Sequence, residues 1–157
     1  MTKNPYRKTI RLEPDLYAAP HNVCSITTCT QNGEMIFGDI AFGRACVDIL
    51  RTLSNEKKTP IFAYCFMPDH IHVLLSPSEQ CSIPLFIGGF KSLWVRTGWM
   101  HFGLKKSFWQ KRYYDHFLRT GEDINMVAKY ILNNPVRKGL TKSWKDYPLC
   151  GSLVFDL

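Results

Sequence analysis

The chain has 157 residues, of which 45% are apolar and 13% aromatic, enough for one ordinary domain with a real core and unlike a disordered tail. No apolar run reaches the roughly 20 residues that a membrane-spanning helix needs, and the basic start at residues 1–8 leads into no signal-peptide stretch. A soluble, cytoplasmic protein with no membrane partner is therefore expected.

The net charge of +7 is unevenly spread, because residues 91–147 hold twelve Lys/Arg against four Asp/Glu. A local positive field of this kind favours a polyanion, usually nucleic acid. Aromatic rings interleave with the cations in Phe108-Trp109-Gln110-Lys111-Arg112-Tyr113-Tyr114. Such mixtures hold single strands, with cations on phosphates and rings under bases. The six cysteines, Cys24, Cys29, Cys46, Cys65, Cys81 and Cys150, form no CxxC pair and read as buried free thiols.

Residues 23–30 are rich in β-branched side chains and predict a strand, followed by a turn at Gln31-Asn32-Gly33. The spacing of Ile40, Ala41, Val47, Leu50 and Leu53 predicts a helix from a capping Asp39 to about Asn55. Residues 60–66 and 70–76 predict an antiparallel hairpin closed by Met67-Pro68-Asp69. Residues 83–99 predict a helix in which Gly88-Gly89 leaves room for close approach of a backbone or ligand. A short strand is expected over residues 115–119. Residues 120–123 resemble a capping box with Asp123 in place of Glu. They open a helix over residues 124–134, which Pro135 is expected to end. The tail from Thr141 is expected to be irregular. No repeat or Gly/Ser linker divides the chain, so residues 1–157 read as a single domain. The order strand, helix, two strands, helix, strand, helix predicts an α+β fold. Its natural form is a ferredoxin-like sandwich, a central antiparallel sheet with helices packed on one face.

His70-Ile71-His72 falls in the second hairpin strand, where alternation puts both imidazoles on one side. Two imidazoles at this spacing can share a metal ion but need a third ligand from elsewhere. The spacing alone is met more often by two polar positions on a solvated face. Against that stands the apolar character of Ile71, Val73, Leu74 and Leu75, which marks a central strand. On the last helix, Ile124, Val127, Ala128 and Ile131 form the apolar stripe. Tyr130 and Asn134, four apart, share its flank. Geometry alone favours the plainer reading, a tyrosine at the edge of the core with its hydroxyl in water and an asparagine near the helix C-terminus. A tyrosine hydroxyl, with a reference pKa of about 10, becomes a useful nucleophile only beside a polarising group. A His–His metal site is such a group, and Asn134 can add a neutral oxygen.

These motifs together resemble a known family. The run from Phe62 through His70-Ile71-His72 to Leu75 resembles the metal-binding strand of HUH single-tyrosine transposases, where U is a bulky apolar residue. Tyr130-Ile131-Leu132-Asn133-Asn134-Pro135-Val136 resembles the catalytic helix of the REP-associated branch of the IS200-like enzymes. The resemblance runs from about Val23 to Leu140. It implies that His70 and His72 hold Mg²⁺ or Mn²⁺, with Asn134 the candidate for an open third position. It implies that Tyr130 attacks a DNA phosphate, keeps the 5′ end as a phosphotyrosine and frees a 3′-OH. Insertion-sequence relatives usually carry Gln where this chain has Asn134, a departure that points to the REP-associated branch. The implied partner is single-stranded DNA with hairpin-forming repeats, bound by a monomer or a homodimer. Candidate phosphate contacts are Lys91, Arg96, Lys105, Lys106, Lys111, Arg112, Arg137 and Lys138. Three other readings stay open: a domesticated DNA-binding relative, a metal-dependent phosphodiesterase using water, and a plain RNA-binding module.

Overall fold

The computed structural model describes residues 13–156. The basic start at residues 1–8 lies outside the described residues. Five strands form one antiparallel sheet in the order β4-β1-β3-β2-β5, with β1 at Cys24–Cys29, β2 at Ile61–Met67, β3 at His70–Leu75, β4 at Tyr114–Phe117 and β5 at Cys150–Gly151. The first four strands, in the order 4-1-3-2 with two crossover helices, are the ferredoxin-like arrangement. Those helices are α1, Ile40–Lys57, and α2, Ile83–His101. Local chemistry sets their ends. Asn32 and Gly33 turn through left-handed φ after β1. Asp39 caps α1 by accepting from the Phe42 amide at 3.2 Å.

The sheet is covered on both faces, which corrects the expectation of helices on one. Cys24, Ile26, Tyr64, Phe66, Ile71, Val73 and Leu75 enter a core with α1 and α2. The alternate residues Ala63, Cys65, Met67 and Leu74 enter a second core with Ala128, Ile131 and Leu132 of α3, Ile124–Leu132. The reason is that β2 and β3 are apolar on both sides. One helical layer would leave the second side wet.

Other expectations change. The fourth strand is Tyr114–Phe117 rather than residues 115–119. The cap of α3 is Asp123 itself, which accepts from the Asn125 amide at 2.8 Å. Glu122, the residue before it, is turned back to the Arg119 amide and His116. Pro135 does not end the helical path. The break comes at Asn133, and Pro135 sits in the first turn of a four-residue helix, α4, Asn134–Arg137. There its missing N–H is harmless. The tail is not irregular throughout, because β5 pairs with β2 through Tyr64 and Cys65. No backbone of the chain closes on the Gly88-Gly89 pair: open space lies at Gly88, and the Leu53 side chain is at ordinary contact distance from Gly89. The intimate approach is at Gly43, where a Cβ would fall 2.5 Å from Leu149 Cδ1 and pins the tail to α1. All six cysteines are free. No helix among the described residues is long and apolar enough to cross a membrane.

Trp94 is the hub of the first core. It is fully buried, stacks on Phe90 at 4.2 Å, meets Phe66 and Trp109, and donates its indole N–H to the Cys46 carbonyl at 2.9 Å. Trp94→Ala should cost about 3–5 kcal/mol of unfolding free energy in urea melts. A loss below about 1 kcal/mol would show that this cluster is not the core.

Candidate functional site

The site grows from the alternation of β3. His70 and His72 lie on the face opposite Ile71 and Val73, which is the face that α3 covers. Their rings stand perpendicular with centroids 4.9 Å apart. Each Nδ1 already has a partner. Asp69 Oδ1 is 2.6 Å from His70 Nδ1, and Thr27 Oγ1 is 2.9 Å from His72 Nδ1. A carboxylate oxygen accepts, so the bond to Asp69 puts an N–H at His70 Nδ1 and makes Nε2 the ring nitrogen that could face an ion. The Thr27 hydroxyl can hold His72 in the same tautomer. Two neighbouring imidazoles with Nδ1 occupied and Nε2 available are a donor set that suits a divalent cation.

His72 is held neutral. Burial lowers its pKa to about 4, helped by the charges of His70 and Arg137. Arg137 is thus within electrostatic reach of His72. Its guanidinium carbon also sits 4.3 Å from the centroid of the Tyr130 ring. Arg137 thus connects the nucleophile candidate on α3 to the histidines on β3. Tyr130 itself is 57% exposed, so its hydroxyl is accessible. Asn134 is only 8% exposed, and its Nδ2 donates to the Ile131 carbonyl at 3.1 Å. That bond ties the break after α3 and leaves Oδ1 as the atom able to ligate. Among the described residues no three His, Cys, Asp or Glu side chains cluster as a metal group.

The candidate phosphate contacts divide. Arg137 ends α4 and Lys138 caps it, both exposed, and Arg137 is within electrostatic reach of His72. Lys111 and Arg112 are exposed just before β4, at the sheet edge. Arg96 is on the outer side of α2, on the other layer, and Lys105 and Lys106 lie beyond the end of α2. Lys91 packs its ammonium over Trp109 at 5.4 Å and Tyr113 at 5.8 Å and donates to the Gln110 carbonyl. Burial lowers its pKa to about 8. Lys91 is thus built into the protein rather than presented as a surface cation. Asp115 bonds Tyr17 on the α1–α2 side of the sheet, whereas His116 bonds Glu122 on the histidine side. Sequence reasoning missed Asp69 and Thr27. Asp69 carried a signal, an acid directly before His-x-His. Thr27 carried none, since only the strand pairing brings it to His72.

Residues 22–134 match the family model described as transposase, IS200 like. A REP-associated tyrosine transposase of Escherichia coli is 26% identical over 98 residues, covering 61% of this chain and 56% of the relative. The ISDra2 transposase TnpA of Deinococcus radiodurans is 31% identical over 77 residues, covering 48% of this chain and 54% of the relative. The chain therefore spans about half the length of three of the curated relatives it matches, and 89% of a fourth, from Haemophilus influenzae, at 25% identity. A solved structure of a REP-associated tyrosine transposase bound to a REP hairpin shares the fold. Its TM-score is 0.67 at 21% identity, over 85% of this chain and 78% of that one.

The neutral His72 makes a pH prediction for metal-free protein. Its pKa is about 4 in the fold against 6.5 in the unfolded chain. The unfolded state then binds the proton more tightly, so this contribution to stability is whole above pH 6.5 and is lost as pH falls toward and through 4. Urea unfolding in EDTA should show stability falling from pH 7 to 4.5, with a shallower fall in His72→Gln. Equal pH slopes in the two proteins would contradict the assignment.

Proposed function

The chain belongs to the IS200-like transposase family, and from that premise we propose that it cuts and rejoins single-stranded DNA through a 5′-phosphotyrosine on Tyr130. The observation that supports this reading is the pair of oriented imidazoles on the sheet face that α3 covers, with Arg137 over the Tyr130 ring and within electrostatic reach of His72. Tyr130 Oη attacks the scissile phosphorus and loses its proton to water. The P–O3′ bond breaks, and the departing 3′ oxygen takes up a proton as a free hydroxyl. The Tyr–O–P bond keeps the energy of the broken phosphodiester, so a 3′-OH can later attack it and rejoin a strand without ATP.

His70, His72 and the Asn134 Oδ1 would hold Mg²⁺ or Mn²⁺. When bound, that ion supplies positive charge at the phosphate, which is Lewis-acid chemistry. Asp69 and Thr27 orient the two rings. Arg137 holds the Tyr130 ring by cation–π contact and offers guanidinium hydrogen bonds to a phosphate oxygen. The relatives named REP-associated, and the relative solved with a REP hairpin, support hairpin-bearing single strands as the substrate. The biological process is then DNA transposition or a related recombination.

The test uses end-labelled hairpin oligonucleotides, Mg²⁺ or EDTA, and denaturing protein gels. The wild type should form a DNA adduct that survives denaturation. That adduct should vanish with EDTA and in Tyr130→Phe. Asp69→Ala should lower its rate about ten- to hundredfold through the misoriented His70. Free cleaved DNA without an adduct, unchanged in Tyr130→Phe, would contradict the proposal and indicate water as the nucleophile.

A further inference from the structure

The sheet face that carries the histidines is only half roofed. α3 packs over β2 and β3. Beside it, on β1, Ser25, Thr27 and Cys29 stay partly exposed, while Cys24, Ile26 and Thr28 between them are buried on the other side. Residues directly opposed across antiparallel strands project from the same face. His72 is opposite Thr27, and Thr27 is opposite Tyr114. One row along, Leu74 is opposite Ser25, and Ser25 is opposite His116. Tyr114 and His116 therefore stand on the histidine face. With strands about 4.8 Å apart, the Tyr114 backbone is roughly 10 Å from that of His72.

Tyr114 is 69% exposed although it lies in a strand. The next exposed residue on its face, His116, is fixed by Glu122 at 3.0 Å. Register explains why the edge is open at Tyr114. Thr30 bridges Trp109 and Thr27 pairs with Tyr114, so three steps on β1 match five on the partner. The two extra residues push the stretch from Lys111 to Tyr113 out of line, beside Tyr114. The floor between α3 and this edge is polar, made of Ser25, Thr27 and Cys29, which does not suit an apolar protein partner. Cations flank it: Lys111 and Arg119 are exposed on either side of β4, and Arg137, the last residue of α4, stands over the Tyr130 ring within electrostatic reach of His72.

We propose that the open floor of β1 and β4 is a track for unpaired DNA leading to the histidine pair, with Tyr114 as the platform on which one base stacks. This rests on the reading of Tyr130 and the histidines as a single-strand cleavage site. A polar floor with flanking cations suits a phosphate backbone, and the exposed ring suits a base face. A duplex keeps its base faces inside its own stack, so the ring has an unpaired base as its partner. Tyr114 is a positioning residue. It sets which nucleotide beside the scissile phosphate is held, and its phenol oxygen takes no part.

The test is fluorescence anisotropy in EDTA with a mixed-sequence single strand of about twenty nucleotides and with the same sequence as a blunt duplex. Neither metal nor cleavage enters this measurement, so a failed adduct assay and a failed track are distinguishable. Tyr114→Ala should weaken single-strand binding roughly tenfold and leave duplex binding unchanged. Tyr114→Trp and Tyr114→Phe should retain wild-type binding, because stacking needs the ring and not the hydroxyl. An unchanged unfolding midpoint is expected for Tyr114→Ala, given the exposure of the ring. Equal weakening for both probes, no weakening, or a loss shared by Tyr114→Phe would each overturn the proposal.

Discussion

Because side chains alternate along a strand, Ile71, Val73 and Leu75 of β3 enter the layer of α1 and α2, while His70, His72 and Leu74 face the layer of α3. A strand buried on both sides has no freedom of register: a slip of one residue would exchange the imidazoles for isoleucine and valine. The pairing with β1 and β2 holds that register on both edges. The position of the histidines is therefore inherited from the packing of the whole sheet. The second core then brings α3, and with it Tyr130, over the same face.

Electrostatics completes what packing begins. Partial burial beside Arg137 makes a protonated His72 costly, so the ring stays neutral and its lone pair stays available. The Asp69 carboxylate sets the tautomer of His70 from the adjacent residue. Arg137 serves both halves of the site, through its charge at His72 and its contact with the Tyr130 ring. Arg137 over an accessible phenol and within electrostatic reach of His72 gives this face a positive field that favours an anionic group. The polar floor of β1 extends that face sideways to the sheet edge, where chain-derived cations lie.

Much of this was legible in the sequence because two periods are hard to disguise. The two-residue period placed both histidines on one side of a strand, and the helical period placed Tyr130 beside an apolar stripe. The ferredoxin-like order followed from the succession of elements. What was hidden depended on contacts between distant residues. The face taken by α3 was marked only by the near-continuous apolar run of β2 and β3, which signals burial on both sides. Thr27 reaches His72 across 45 positions, and nothing local announces it. Lys91 reads as a surface cation until the rings of Trp109 and Tyr113 are seen beneath it. Pro135 reads as a terminator, yet it starts the next turn because the break had already come at Asn133.

The central claim is spatial: one divalent ion sits between the histidines of β3 and the tyrosine of α3. Proton NMR with substoichiometric Mn²⁺ tests it most directly, since the paramagnetic ion broadens nuclei according to their distance from it. The account predicts that the ring signals of His70, His72 and Tyr130 broaden first, that His116 and His101 persist longer, and that His70→Ala removes the effect on Tyr130. Broadening of the histidines with a sharp Tyr130 signal, or broadening confined to surface carboxylates, would contradict it.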